Sequence, residues 1–110
     1  MKHNIQVTKV QESKVAEVDF ANIPFGRVFS DHMFVADYRD GEWHDYRIIP
    51  FGNFSMHPAS MALHYGQAIF EGMKASKGKN GEPLLLRPEM HAQRINRSAQ
   101  RMMMPDFPED

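Results

Sequence analysis

Three arginines, Arg94, Arg97 and Arg101, stand at i, i+3 and i+7 in LLLRPEMHAQRINRSAQRM, so one face of a helix carries all three. A guanidinium is planar and permanently charged, and its fork matches phosphate oxygens in pairs, so this stripe could seat a phosphate ester. A plain solvated face would show the same spacing. A second group is aromatic: Phe25, Tyr65 and Phe70. Tyr65 precedes Gly66 at the end of a short helical pattern, where its ring can project while its hydroxyl stays wet, as the lip of an apolar pocket requires. Burial in a core accounts for Phe25 and Phe70 as readily. Lys74 follows Phe70 and Gly72 on one face of an alternating stretch, and its amine could attack a carbonyl, although a lysine with its head in water gives the same pattern. Glu71 falls on the opposite face with Ile69 and Met73 and suits an ion pair or a hairpin contact better than a general base.

The six histidines, His3, His32, His44, His57, His64 and His91, show neither H-x-H nor H-x-x-x-H spacing, so no metal site is expected. His64 adjoins the aromatic cluster and could support it from behind; the others read as surface or capping groups. The absence of cysteine removes disulfides, thiolate chemistry and sulfur-bound zinc, and fits a reducing compartment. Thirteen basic residues against fourteen acidic leave a formal net charge of -1, so no long-range field draws in nucleic acid or an anionic membrane, and any anion site must be local. The first twenty residues hold no apolar run suited to a secretory or spanning segment, which makes the cytoplasm the expected location. Asn96-Arg97-Ser98 formally matches a glycosylation acceptor but lies inside a helical pattern.

The elements that must position these groups form an α+β unit, a mostly antiparallel sheet of hairpins with two flanking helices. Residues 1–24 read as a weakly structured N-terminal segment with one short strand near Ile5–Val10. The runs VFSDHMFVADY and WHDYRII flank Asp40-Gly41, a pair suited to a tight hairpin turn. A short helix is expected over Pro58–Tyr65, closed by Gly66. A second hairpin, AIFEGMKAS with PLLLR, is expected about Asn80-Gly81. A helix from Pro88 to about Met103 then ends before Pro105 and puts Ala92, Ile95, Ala99, Met102 and Met103 opposite the arginines.

The stretch LHYGQAIFEGMKA closely resembles the branched-chain amino-acid aminotransferases, pyridoxal-phosphate enzymes of fold type IV. The likeness extends through FGRVFSDHM, NFSMHPASMALHYG and LLLRPEMHAQRINRSAQRM and covers most of residues 25–105. It implies that residues 25–110 form the small N-terminal domain of such an enzyme, with the larger C-terminal domain absent from this chain. It also implies that Arg94 is the arginine that holds the phosphate of pyridoxal 5'-phosphate, while Arg97 and Arg101 remain surface charges. Phe25, Tyr65 and Phe70 match aromatics that line the pocket for an aliphatic side chain, the tyrosine being able to reach the partner subunit's site.

The family's Schiff-base lysine lies in the larger domain, so Lys74 does not inherit that role. No catalytic residue is expected in this chain, which taken alone should be inactive. The whole enzyme is expected to be a homodimer that transfers the amino group of leucine, isoleucine or valine to 2-oxoglutarate. A D-amino-acid aminotransferase or an aminodeoxychorismate lyase would share the fold and the phosphate arginine; the extended match upstream of Gly66 favours the branched-chain group. A non-catalytic dimerisation or binding module is the rival of a different kind.

Overall fold

The computed structural model describes residues 3–109, which fall into two compact units, Met1–Ser55 and Met56–Asp110. The first unit is built on a hairpin of β2 (His32–Arg39) and β3 (Glu42–Pro50), with β1 (Gln6–Val7) parallel to β3 on its other edge. Asp40 and Gly41 take φ of 54° and 86°, the pair of left-handed conformations that closes a two-residue turn compatible with strand twist. The expected Asp-Gly hairpin therefore forms. Between Val35↔Arg47 and Asp37↔His44 the register shifts, with Asp45 and Tyr46 opposing Ala36 alone. Asp45 accommodates this bulge at φ 53°, a conformation that aspartate tolerates better than most residues.

The N-terminal segment is tied to the hairpin by side chains. The Val10 N–H donates to His32 Nε2 at 3.0 Å. The Asp31 carboxylate accepts from the Ser13 hydroxyl at 2.6 Å and from the Lys14 N–H at 3.0 Å, just ahead of a 3-10 turn over Val15–Glu17. These bonds hold Asp31 below the usual carboxylate range, the Ser13 contact most of all. Aromatic pairs add to the hairpin: Phe29 stacks on Phe51 with centroids 4.7 Å apart, and Tyr38 meets its cross-strand neighbour Trp43 edge-on at 5.2 Å. No described residue of this unit is fully buried.

The second unit begins with a turn in which the Ser60 N–H bonds the His57 carbonyl and the Ala59 N–H donates to His57 Nδ1. The helix expected from Pro58 starts only at Met61, because the fixed φ of proline serves the second position of that turn equally well. Helix α1 (Met61–Tyr65) then ends on Gly66 at φ 63°, as its sequence requires. Residues 66–74 carry no assigned strand, which corrects the expectation of a first strand starting at Ala68. The hairpin is shorter, with β4 (Ala75–Lys77) antiparallel to β5 (Pro83–Leu85). Its loop is wider than Asn80-Gly81 alone and is closed by Gly78 N–H to Glu82 O at 2.8 Å.

Helix α2 (Pro88–Arg101) starts where its proline predicts. It ends two residues before the expected Met103. Met104 N–H bonds Ala99 O at 2.9 Å and Met103 N–H bonds Gln100 O at 3.3 Å, with Met103 at φ 55°. This is the paired-bond helix stop that usually places glycine where Met103 stands. Ala99, at 2% exposure, is the buried hydrophobic residue of the apolar stripe, and Asn96 is buried beside it. The Asn96 amide exchanges two hydrogen bonds with the main chain of Phe107, both 2.8 Å, folding the C-terminal segment back along the helix.

Candidate functional site

Two elements of the second unit meet at a carboxylate. Glu71 sits in the extended segment after α1, and Arg94 sits in the second turn of α2. Glu71 Oε2 accepts from Arg94 Nε at 2.6 Å, and Glu71 Oε1 accepts from Arg94 Nη2. His91, one turn earlier on the same helix face, places Nδ1 3.0 Å from Glu71 Oε1. An ionised carboxylate can only accept, so the ring proton in this contact stands on Nδ1. The Gly72 N–H adds a further donor to Oε1 at 3.1 Å.

The hydrogen bonds from Arg94, and then from His91, hold the Glu71 carboxyl down to about 2 from an ordinary value of 4.5. The same partner pushes the Arg94 guanidinium up. The two charges differ in setting: the Glu71 side chain is 12% exposed and that of Arg94 57%. Arg94 also lines an open concavity of about 610 Å³ with Arg97, Ser98, Gln100 and Arg101. Arg97 and Arg101 have no carboxylate partner among the described residues, so the stripe expected from sequence presents uncompensated positive charge to that hollow.

The aromatic candidates are uncovered. Phe70 is 90% exposed and Tyr65 78%, while Phe25, in the first unit, is fully exposed. Among the large aromatic side chains described, these three are the most exposed, so burial within this chain does not account for Phe25 or Phe70. Ile69 and Glu71 are mostly covered while Phe70 between them is not, so the expected alternation survives locally without a strand. It fails at Met73, which is exposed. The His64 and Tyr65 rings lie 6.5 Å apart, tilted, at the end of α1. Lys74 stands exposed and takes no part in the cluster.

His91 was not singled out by its type or by metal-ligand spacing. Its signal was positional: three residues before Arg94, it had to share that residue's face. The ion-pair reading of Glu71 is what the structure shows.

No protein-family model matches the chain. Curated relatives do. The chain is 46% identical over 101 residues to a probable branched-chain-amino-acid aminotransferase of Staphylococcus epidermidis, a match covering 91% of this chain. It is 44% identical over 110 residues, 99% of its length, to branched-chain-amino-acid aminotransferase 2 of Bacillus subtilis. A branched-chain-amino-acid aminotransferase of Mycolicibacterium smegmatis is 42% identical over 97 residues, 87% of the chain. Over most of its own length the chain is thus similar to proteins named branched-chain-amino-acid aminotransferase. It spans between 26% and 30% of the length of these relatives. Its two helices and mostly antiparallel strands are consistent with the small N-terminal domain of the fold type IV aminotransferases. No described helix is long and apolar enough to cross a membrane.

Proposed function

We propose that this chain is the N-terminal part of an aminotransferase that moves the α-amino group of leucine, isoleucine or valine to 2-oxoglutarate, using pyridoxal 5'-phosphate held by Arg94. The observation that carries the reading is the identity of 40% or more to aminotransferases named for branched-chain substrates, maintained over most of the chain. The donor set agrees with it. Arg94 is a permanently charged fork on the rim of a cationic hollow, with Nε and Nη2 engaged and Nη1 without a hydrogen-bond partner among the described residues. That is suitable chemistry for one face of a phosphate ester.

Pyridoxal phosphate, when bound, supplies a ring that absorbs the negative charge left as the α-proton departs. The residues of this chain bind and orient. Arg94 fixes the phosphate end, and Phe25, Tyr65 and Phe70 offer apolar faces against which an aliphatic side chain sheds water. Such a wall discriminates coarsely, since one methylene is worth about 1–3 kcal/mol, so leucine, isoleucine and valine would all be accepted. The lysine that carries the cofactor belongs to a larger second domain, and no residue described here is assigned a catalytic role. A homodimer in the cytoplasm, with Tyr65 facing the partner's site, completes the proposal; neither nucleic acid nor membrane has a part in it.

Substrate profiling of the full-length protein tests this. Transfer from leucine, isoleucine and valine to 2-oxoglutarate is expected to exceed transfer from D-alanine by orders of magnitude. Preference for D-alanine, or pyruvate release from aminodeoxychorismate, would assign the chain to a neighbouring class of the same fold.

A further inference from the structure

Arg94 is held by one edge of its guanidinium. Nε and Nη2, which point to the same side of the fork, both end on Glu71, and Nη1 is left over. Glu71 is in turn fixed from two other directions, by His91 Nδ1 at 3.0 Å and by the Gly72 N–H at 3.1 Å, and it is far better covered than its partner. The carboxylate is thus the anchored member of the pair and the arginine the one that is steered. A free arginine samples many rotamers, and each hydrogen bond to a ligand must first bring it to one of them. Engagement of the Nε edge removes that freedom before a ligand arrives, while Nη1 has no hydrogen-bond partner among the described residues and Arg94 lines the concavity.

We propose that Glu71 is a positioning residue for the phosphate site: it clamps the Nε side of Arg94 so that the Nη1 end of the fork meets the phosphate, and His91 braces Glu71 in that posture. This rests on the reading of Arg94 as the phosphate anchor. Glu71 touches neither cofactor nor substrate; it acts through the arginine. The rival role for the same carboxylate is as a placeholder that neutralises Arg94 and must be displaced by phosphate.

The experiment measures equilibrium binding of pyridoxal 5'-phosphate and of pyridoxal, which lacks the phosphate, to the full-length protein stripped of cofactor. The variants are Glu71→Gln, Arg94→Ala and the two combined. Glu71→Gln is expected to weaken pyridoxal 5'-phosphate roughly tenfold by loosening the arginine, while pyridoxal binding stays unchanged. In the Arg94→Ala background, Glu71→Gln should add nothing, because the two residues act as one device.

Wild-type affinity in Glu71→Gln, tighter binding as the placeholder role requires, or an equal loss for both probes would each overturn the clamp. If Arg94→Ala leaves the preference for the phosphorylated probe intact, the anchor reading itself fails and the clamp falls with it. If Glu71→Gln does not fold, His91→Gln serves instead. It should bring a smaller loss, about threefold and confined to the phosphorylated probe, and parity with wild type overturns the proposal.

Discussion

The first unit is organised by main-chain pairing, with strands of eight and nine residues joined by a tight turn and a third strand alongside. There, side chains such as His32 and Asp31 fasten the N-terminal segment to a hairpin that main-chain pairing already builds. The second has strands of only three residues and relies more on side-chain ties: Glu71 to Arg94, Gln67 Nε2 to the Met102 carbonyl at 2.9 Å, and Asn96 to the main chain of Phe107. In the first, Arg39 and Asp45 pair in water, each about half exposed, while Arg47 and Asp37 pair partly covered. The second covers one carboxylate almost completely and leaves its arginine out. A ladder tolerates exchange of most side chains along it, whereas a unit tied by particular amides and carboxylates is sensitive at a few positions. Five of its residues, Tyr65, Phe70, Glu71, His91 and Arg94, are the ones to which a role in binding is proposed, directly or through a neighbour, and three of them lie outside regular strands or at a helix end.

The largest expected effect is in the second unit. Asn96→Ala removes the two hydrogen bonds that a buried amide makes to the Phe107 main chain, and should lower stability by about 1–3 kcal/mol. Hydrogen exchange would then accelerate at residues 105–109 and along α2 while β2 and β3 keep their protection. Uniform acceleration in both units would erase the contrast between them.

Next is Met103→Gly. Met103 is exposed and sits at φ 55°, so glycine relieves left-handed strain at little cost in burial and should raise stability by roughly 1 kcal/mol in thermal denaturation. A loss would show that the methionine side chain is held by something else.

Acid sharpens the comparison further. Glu71 has a folded-state value depressed to about 2 from 4.5, so its contribution to stability is complete above about pH 4.5 and is lost as the pH falls toward 2. Carboxyl carbon NMR should follow Glu71 titrating near 2, and in Arg94→Ala its midpoint should move up toward 4.5. A midpoint already near 4.5 in the unmutated protein would break the pair. The smallest effect belongs to Arg39→Gln, which removes an exposed ion pair and should leave the melting temperature unchanged within error. A clear drop would mean that the hairpin also depends on its side chains.

Much of this arrangement was legible in the residues, and the limits have physical causes. Asp40-Gly41 announced its turn because few other pairs accept two positive φ angles, and Pro88 announced the start of α2. The bulge at Asp45 left no comparable mark, since nothing in WHDYRII says which partner residue goes unmatched. The stretch 68–74 alternates like a strand, but alternation reports only that one face is covered, and here Glu71 is covered by a helix side chain rather than a sheet. The helix stop at Met103 was placed late because methionine is an unusual occupant of the left-handed position. Arg94 was distinguished from Arg97 and Arg101 by resemblance alone, and the structure adds a physical difference, for among the described residues Arg94 alone of the three has a carboxylate holding it.

The most direct test of the account compares two arginines of one helix face. In the full-length protein, Arg94→Ala should weaken retention of pyridoxal 5'-phosphate roughly 10- to 100-fold, the worth of one or two charge-assisted hydrogen bonds, while Arg101→Ala should stay close to wild type. Equal losses in the two variants, or none in Arg94→Ala, would contradict it.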